Sequence, residues 1–578
     1  NIIQKFEPSQ RNIKNNCLSL EGFTLYLASD ENPLIYFDKI SLHADMEQPL
    51  SHYFINSSHN TYLTGFQIRG KSSVDIYRHI LLSGCRCIEL DCWDGKGELH
   101  GEPIITHGKA MCTDVLFKNV LVAIRDAAFV TSQYPVILSF ETHCSKPLQH
   151  KMAMYCREIF GEMLLDRNLE SHPLLPGQPL PSPHQLQRKI LIKNKRLQPD
   201  VEKEEAHPEL QSTKSCDDTK LNISSQSCMS DISVESNIEK VCDGLLKPLV
   251  ATKSNDSTKK SSIRKVNTKI LNATFHPQPV DGDVEADLML VYYAYQKTSA
   301  TNIHPSLSVL VNYCQSVKFP GFKKVQGGVN LVNTCCDISN YDIIMLIIPA
   351  ESEKCCFHMS SFSENGGMNY IKSNAVNLTN YNKSQLSRIY PRGNRVDSSN
   401  YMPQIFWNVG CQLVSLNYQT SDLGMQLNLA KFEYNAACGY LLKPEALRQE
   451  NKSFDCFAES TIDGVIAAQC GVKFSFVIYI EFHPQIISGQ FVSTTSSFVE
   501  VDMYGLPNDT IRKEFRTSIV ANNGLNTIYK SNEFLFRKVI YPDLAMLRFT
   551  LYDDGRQLIG QRVVPLNSLQ TGYRYVPL

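Results

Sequence analysis

The sequence predicts a multi-domain α/β protein: a (β/α) barrel followed by an antiparallel β-sandwich. Three observations predict it. Between Ser51 and Glu141, short apolar runs end in groups able to bind a metal or move a proton. They are Ser57-Ser58-His59-Asn60-Thr61-Tyr62-Leu63, Glu89-Leu90-Asp91-Cys92-Trp93, Thr106-His107-Gly108 and Leu138-Ser139-Phe140-Glu141. Successive barrel strands deliver their C-terminal ends to one mouth in this way. From residue 51 to about 197, strand-like runs alternate with helical spacing, which argues for a parallel sheet with outer helices. From about residue 474 onward, strand-like runs recur with turn signals between them, as in an antiparallel sandwich of about a hundred residues.

Taken in order, residues 1–48 read as helical with short breaks, and Pro33 interrupts an amphipathic segment around Gly22 to Leu27. Strands are expected at 52–55, 85–90, 104–106, 136–140 and 189–192. Apolar residues at helical spacing predict helices at 73–82, 114–127 and 148–160. The Pro-rich stretch 173–183 reads as a surface loop. Residues 198 to about 282 change character. Eleven acidic and eleven basic side chains lie between Val201 and Ile270, so the segment is neutral, highly polar and without apolar periodicity. It cannot bury enough surface to offset its ordering entropy, and a disordered linker is expected over 198–304. Ordered patterning returns at 306–313 and runs through 359–364, 384–401 and 403–420. The stretch 323–352, with Asp342-Ile343-Ile344-Met345-Leu346-Ile347-Ile348, reads as an apolar insertion. Sandwich strands are expected at 486–492, 498–503, 547–552 and 561–565.

At 578 residues the chain is too long for one core. A net charge of −1 gives no global attraction to nucleic acid, so membrane contact must come from local patches. The 19 cysteines form no paired C-x₂-C set; Cys85/Cys87, Cys355/Cys356 and Cys411/Cys438 read as reduced cytosolic thiols. No signal peptide is visible, and a first residue other than Met reads as a fragment. The most apolar run, 472–482, is far too short to span a bilayer, so any work on membranes is expected to be peripheral.

Asn60, Glu89, Asp91 and Glu141 offer only oxygen, and hard oxygen ligands suit Ca²⁺ or Mg²⁺. Three carboxylates at one mouth would repel without a cation. His59 and His107 each follow a strand end; a lone histidine is more often structural, yet an imidazole titrates near working pH and can serve as acid or base. Lys193 and Lys195 alternate along one strand and share a face, and a solvated strand end would be their bland explanation.

These residues resemble a known family. Ser51-His52-Tyr53-Phe54-Ile55-Asn56-Ser57-Ser58-His59-Asn60-Thr61-Tyr62-Leu63 is similar to the opening of the X region of phosphoinositide-specific phospholipase C, as are Gly84-Cys85-Arg86-Cys87-Ile88-Glu89-Leu90-Asp91-Cys92-Trp93 and Ile105-Thr106-His107-Gly108. Leu386-Ser387-Arg388-Ile389-Tyr390-Pro391 and Asp397-Ser398-Ser399-Asn400-Tyr401 resemble its Y region. Phe498 to Pro507 and Tyr401 to Asn408 are similar to the β-type subfamily. The resemblance implies an EF-hand remnant (1–48), a TIM-type (β/α)8 barrel split into an X half (49–197) and a Y half (305–448), and a C2 domain (449–578).

It further implies Ca²⁺-dependent hydrolysis of phosphatidylinositol 4,5-bisphosphate to inositol 1,4,5-trisphosphate and diacylglycerol, in G-protein-coupled receptor signalling under a Gq-type α subunit. The location implied is cytoplasmic, peripheral to the inner face of the plasma membrane. By resemblance, Asn60, Glu89, Asp91 and Glu141 hold Ca²⁺. His59 stabilises the transition state, His107 protonates the leaving oxygen, and either Glu89 or Glu141 takes the 2-hydroxyl proton. Lys193, Lys195, Ser361 and Arg388 contact ring phosphates, and Tyr390 stacks on the inositol. The alternative is a catalytically inactive scaffold that binds phosphoinositides; the retained His59 and His107 argue against it. Asp502, Asp553 and Asp554 are too few and too scattered for a typical C2 Ca²⁺ site, so the sandwich is expected to dock on the barrel.

Overall fold

Tyr53–Ser58 is buried on both faces, the condition of a strand in a parallel sheet covered by helices. In the computed structural model this strand is the first of eight parallel strands that close into a ring. They are numbered here β1 (Tyr53–Ser58), β2 (Cys87–Asp94), β3 (Val136–Thr142), β4 (Ile190–Lys193), β5 (Gln315–Val317), β6 (His358–Ser363), β7 (Leu386–Tyr390) and β8 (Leu413–Leu416). Parallel ladders join neighbours from β1 to β4 and from β5 to β8, and β8 returns to β1 with Ile55 opposite Leu413. The last gap, β4 to β5, is closed by a parallel bridge from Asn194 to Gln315, with Ser316 N donating to Asn194 O at 2.8 Å. The structure describes residues 1–108, 110–197, 303–322, 355–459, 488–490, 496–509, 514–524, 526–529, 536, 538–572 and 574–578. The expected linker (to residue 302), all of the 323–352 insertion and the apolar run 472–482 lie outside the described residues.

Strand side chains alternate between ring interior and exterior. The lower interior is apolar: Tyr53, Ile55, Cys87, Ile137, Leu191, Cys314, Met359, Leu386 and Leu413 form one buried cluster. Two residues further along the same strands the interior turns polar, through Ser57, Glu89, Ser139, Lys193, Ser316, Ser361, Arg388 and Ser415. The exterior positions Ile88, Leu90, Cys92, Leu138, Phe140, Ile190 and Ile192 pack under the amphipathic helices Asp75–Leu82, Phe117–Ala127 and Lys146–Phe160. The ring is thus floored by hydrocarbon and topped by charge.

The expected strand at 104–106 is not a ring strand. Pro103–Ile105 runs antiparallel to the end of β2 and pairs with Val115–Leu116. The connection between Asp94 and Pro103 is too short for the crossover that parallel pairing needs. The same pairing makes the helix expected from 114 start at Phe117.

Beyond the ring, Ser497–Tyr504, Met546–Asp553 and Leu558–Pro565 form an antiparallel sheet with Glu514–Arg516 at one edge, and Ser488–Gln490 pairs with Asn526–Ile528. This sheet docks on the ring as expected. Leu506, Ile540, Leu544, Met546 and Val563 share a core with Phe406, Trp407 and Phe432, and Gln404 and Asn408 donate to the carbonyls of Leu544 and Gly505. Asp502 pairs with Arg548 at 3.2 Å, and Asp553 accepts from the Gln557 N–H within its turn. The N-terminal helices Ile2–Phe6, Gln10–Lys14, Leu20–Leu27 and Phe37–Ile40 precede the ring, and Ile35 bridges to Leu569. Among the described residues no helix is long and apolar enough to cross a membrane.

Lys431, on helix Leu423–Phe432, is buried with its ammonium 4.3 Å from the Phe54 ring centre and 4.8 Å from that of Trp407. Burial pushes its pKa down to about 7. The unfolded chain holds that proton up to about pH 10, so between these values folding releases it and stability rises with pH. Denaturant melts of the wild type and Lys431→Met from pH 7.5 to 9.5 should diverge by about 1.4 kcal/mol per pH unit in favour of the wild type. Parallel curves would mean that the two aromatic faces keep the ammonium charged.

Candidate active site

The polar upper layer of the ring opens into a cleft of about 280 Å³. All eleven residues singled out from the sequence line it: His59, Asn60, Glu89, Asp91, His107, Glu141, Lys193, Lys195, Ser361, Arg388 and Tyr390. Ten come from the C-terminal ends of ring strands or the residues just after them. His107 arrives instead from the hairpin on β2, next to Pro103–Ile105.

β1 ends in a sharp turn at Asn60, whose φ of 39° is unusual for a residue with a side chain and is best tolerated by asparagine and aspartate. The turn aims the Asn60 N–H at Glu89 Oε2, 2.9 Å away. Asp91 and Glu141 are register partners on β2 and β3. Carboxylate oxygens of Glu89, Asp91 and Glu141 lie within 4.8 Å of one another. Asp91 Oδ2 accepts from Tyr62 Oη at 2.6 Å, whereas Oδ1 is buried without a hydrogen-bond partner. Burial, then the charges of Glu141 and Glu89, push the Asp91 pKa well above the carboxylate range. Burial also works against ionisation of Glu141, but His143, Lys193 and His107 outweigh it and hold that carboxyl below its usual pKa. A cluster of hard oxygen donors with an orphaned buried carboxylate oxygen fits a divalent cation such as Ca²⁺.

His107 Nδ1 lies 2.5 Å from the main-chain carbonyl of Gln67. A carbonyl only accepts, so Nδ1 carries hydrogen and Nε2 is the titrating nitrogen. His59 Nδ1 lies 2.9 Å from Asn417 Oδ1, the residue after β8. Asn417 Nδ2 donates to Ser399 O, so its Oδ1 is the acceptor and His59 too keeps Nε2 for the cleft. Burial lowers the pKa of both rings.

The basic wall stands opposite. Arg388 Nη2 is 2.7 Å from Glu89 Oε2, and Arg388 Nε is buried without a hydrogen-bond partner. Lys193 Nζ donates to Ser139 Oγ at 3.1 Å, and burial lowers its pKa. Lys195, two residues past the end of β4, is exposed at the rim. The Tyr390 ring lies 5.9 Å from the Arg388 guanidinium.

Sequence reasoning missed several neighbours. His143 stacks on Trp93 with ring centres 4.1 Å apart and reaches Glu141 Oε1 at 3.3 Å. It stands two residues past Glu141, and that alternation was the available signal. Ser316 and Asn194 line the cleft with no motif to mark them. Gln67, Ser398 and Asn417 connect the two histidines across more than three hundred residues, and only the closed ring brings them together.

Comparison with known proteins adds an independent line. The family model described as phosphatidylinositol-specific phospholipase C, X domain, matches residues 46–196, and that described as the Y domain matches residues 347–446. The 1-phosphatidylinositol 4,5-bisphosphate phosphodiesterase beta-4 of Homo sapiens is 50% identical over 586 residues, covering 100% of this chain and 45% of the relative. The 1-phosphatidylinositol 4,5-bisphosphate phosphodiesterase of Drosophila melanogaster is 48% identical over 580 residues, covering 100% of this chain and 47% of the relative. The crystal structure of S. officinalis PLC21 is similar with a TM-score of 0.73 at 40% identity, over 100% of this chain and 59% of that one. The chain spans about half the length of the curated relatives it matches.

Repulsion at the carboxylate cluster costs stability when no cation is bound. Asp91→Asn puts a neutral group of nearly the same shape there and spares the fold both the burial of a third charge and the proton uptake that avoids it, so it should raise the stability of the chelator-treated protein near neutral pH by about 1–2 kcal/mol. Thermal melts in chelator test this; a lower melting temperature would show that the Tyr62–Asp91 hydrogen bond outweighs the repulsion.

Proposed function

Since the chain belongs to the phosphatidylinositol-specific phospholipase C family, with β-type phosphodiesterases among its relatives, we propose that it hydrolyses phosphatidylinositol 4,5-bisphosphate to inositol 1,4,5-trisphosphate and diacylglycerol. The observation that carries this reading is the meeting of two imidazoles, three carboxylates and a basic wall in one cleft at the mouth of a barrel.

Asn60, Glu89, Asp91 and Glu141 are the residues that would hold Ca²⁺. Bound there, the cation would supply positive charge against the negative charge that develops at phosphorus and would favour ionisation of the attacking hydroxyl. Glu141 takes the proton from the inositol 2-hydroxyl. Its side chain is 36% exposed, whereas that of Glu89 is 4% exposed and already accepts from Asn60 and faces Arg388. The 2-oxygen attacks phosphorus, and the bond from phosphorus to the diacylglycerol oxygen breaks. His107 gives its Nε2 proton to that leaving oxygen. His59 Nε2 faces the phosphoryl oxygens and stabilises their charge. The negative phosphodiester favours the protonated form of both rings. In the second half, His107 takes a proton from water, the water oxygen attacks phosphorus, the bond from phosphorus to the 2-oxygen breaks, and Glu141 returns its proton to that oxygen. Lys193, Lys195, Arg388 and Ser361 bind the ring phosphates, and Tyr390 supports the inositol face.

Within this reading residues 1–48 are an EF-hand remnant, 49–197 and 305–448 are the X and Y halves, 198–304 is the linker between them, and 449–578 is a C2 domain. The enzyme works on the inner face of the plasma membrane, without spanning it, under a Gq-type α subunit in G-protein-coupled receptor signalling.

The test is release of water-soluble inositol phosphates from vesicles containing phosphatidylinositol 4,5-bisphosphate. Release should require Ca²⁺, stop with chelator, and fall about a hundredfold or more in His59→Ala and in His107→Ala. A folded wild type that binds the vesicles but releases nothing would favour the inactive scaffold.

A further inference from the structure

Asparagine can bind a cation only through its amide oxygen, yet its oxygen and nitrogen ends are nearly the same shape. Something must decide which end faces the carboxylates. We propose that Gln67 is a positioning residue that fixes Asn60 with its oxygen toward the cation site. The inference rests on the reading of Asn60 as a cation ligand.

The decision begins at a main-chain carbonyl, whose polarity cannot reverse. Ser398 Oγ donates to Gly65 O at 2.7 Å. The Ser398 oxygen is therefore left to accept, and Gln67 Nε2 donates to it at 2.8 Å. A second anchor agrees. Asn417 Nδ2 donates to Ser399 O at 3.3 Å, so Asn417 Oδ1 accepts, and Gln67 Nε2 approaches it at 3.3 Å. With its nitrogen committed, Gln67 presents Oε1 to Asn60, and Asn60 Nδ2 donates to it at 2.7 Å. The other neighbour of Asn60 Nδ2 is His107 Nε2 at 3.4 Å. His107 Nδ1 carries the hydrogen given to Gln67 O, so Nε2 is an acceptor there too. Each group agrees with the next, and the only end of Asn60 left for a cation is Oδ1.

The relay also joins the two halves of the ring. Gln67 follows β1, while Ser398 and Asn417 belong to the segments after β7 and β8. Ser398 is buried with a φ of 60°, a conformation uncommon for a side-chain-bearing residue. Gln67 is itself buried, and its main-chain N–H donates to Val396 O at 2.9 Å, so the backbone that carries the amide is anchored as well. Groups that orient a metal ligand typically change cation affinity by 10–100-fold when removed.

The experiment is calorimetric titration of the chain with CaCl₂, without lipid. Wild-type binding establishes the site; no binding there would reject the cation reading itself, separately from this inference. Gln67→Met should weaken binding about tenfold. Gln67→Glu keeps an acceptor for Asn60 and should bind at least as tightly as about a third of wild-type affinity. On an Asn60→Ala background, Gln67→Met should change nothing further, because its effect passes through Asn60. Wild-type affinity in Gln67→Met, or an equal loss with and without Asn60, would overturn the proposal. Should Gln67→Met fail to fold, Gln67→Glu decides alone: a tenfold loss with an unchanged melting temperature would overturn it.

Discussion

Charges of both signs share the upper half of one barrel interior, and the balance among them is the constraint on which the site depends. Glu89 faces Arg388 at 2.7 Å, so neither is an isolated buried ion. Breaking such a pair by removing one partner typically costs 3–5 kcal/mol, because the other charge stays buried. Asp91 and Glu141 add negative charge that Arg388 and Lys193 offset only in part, and burial, followed by the charges of Glu141 and Glu89, raises the pKa of Asp91. The cleft is therefore short of positive charge among the carboxylates and rich in it on the opposite wall. The proposed substrate, with a phosphodiester at one end and ring phosphates at the other, would suit both sides.

The floor of the ring makes this balance possible. Ile55, Cys87, Ile137, Leu191, Met359, Leu386 and Leu413 fill the interior below and seal it against water from that side. Charge–charge terms are stronger where water is excluded, and an orphaned polar atom such as Asp91 Oδ1 is correspondingly costly. The helices that cover the ring do no chemistry. By burying Ile88, Leu90 and Phe140 they hold β2 and β3 in register, and register sets Asp91 against Glu141.

Much of this was legible in the sequence, for a physical reason. A strand with one face in a barrel repeats every two residues, so Lys193 with Lys195 announce their shared side, whereas Arg388 and Tyr390 came to notice through the family resemblance of the motif that holds them. Motif order then places their strands around one mouth. Local patterns cannot report contacts made only by closure. Gln67 stands in a loop without periodicity, and its partners Ser398 and Asn417 are ordinary polar residues whose meaning is a position in space. The strand at Pro103–Ile105 misled for the opposite reason: its apolar run looks like a ring strand, and only the short connection from β2 marks it as a hairpin.

The ring is sealed between β4 and β5 by little more than the Asn194–Gln315 bridge, where the chain leaves one half and later rejoins the other. Loop-closure entropy grows only with the logarithm of length, about 0.6 kcal/mol for each doubling. A seam of this kind lets the intervening sequence lengthen, shorten or change composition over generations at small thermodynamic cost. The neighbouring seam between β5 and β6 is held by a ladder, with Gln315, Ser316 and Val317 opposite His358, Met359 and Ser360. The bridge between Asn194 and Gln315 thus marks a place in the circle, beside the cleft itself, at which new control can be attached at small thermodynamic cost.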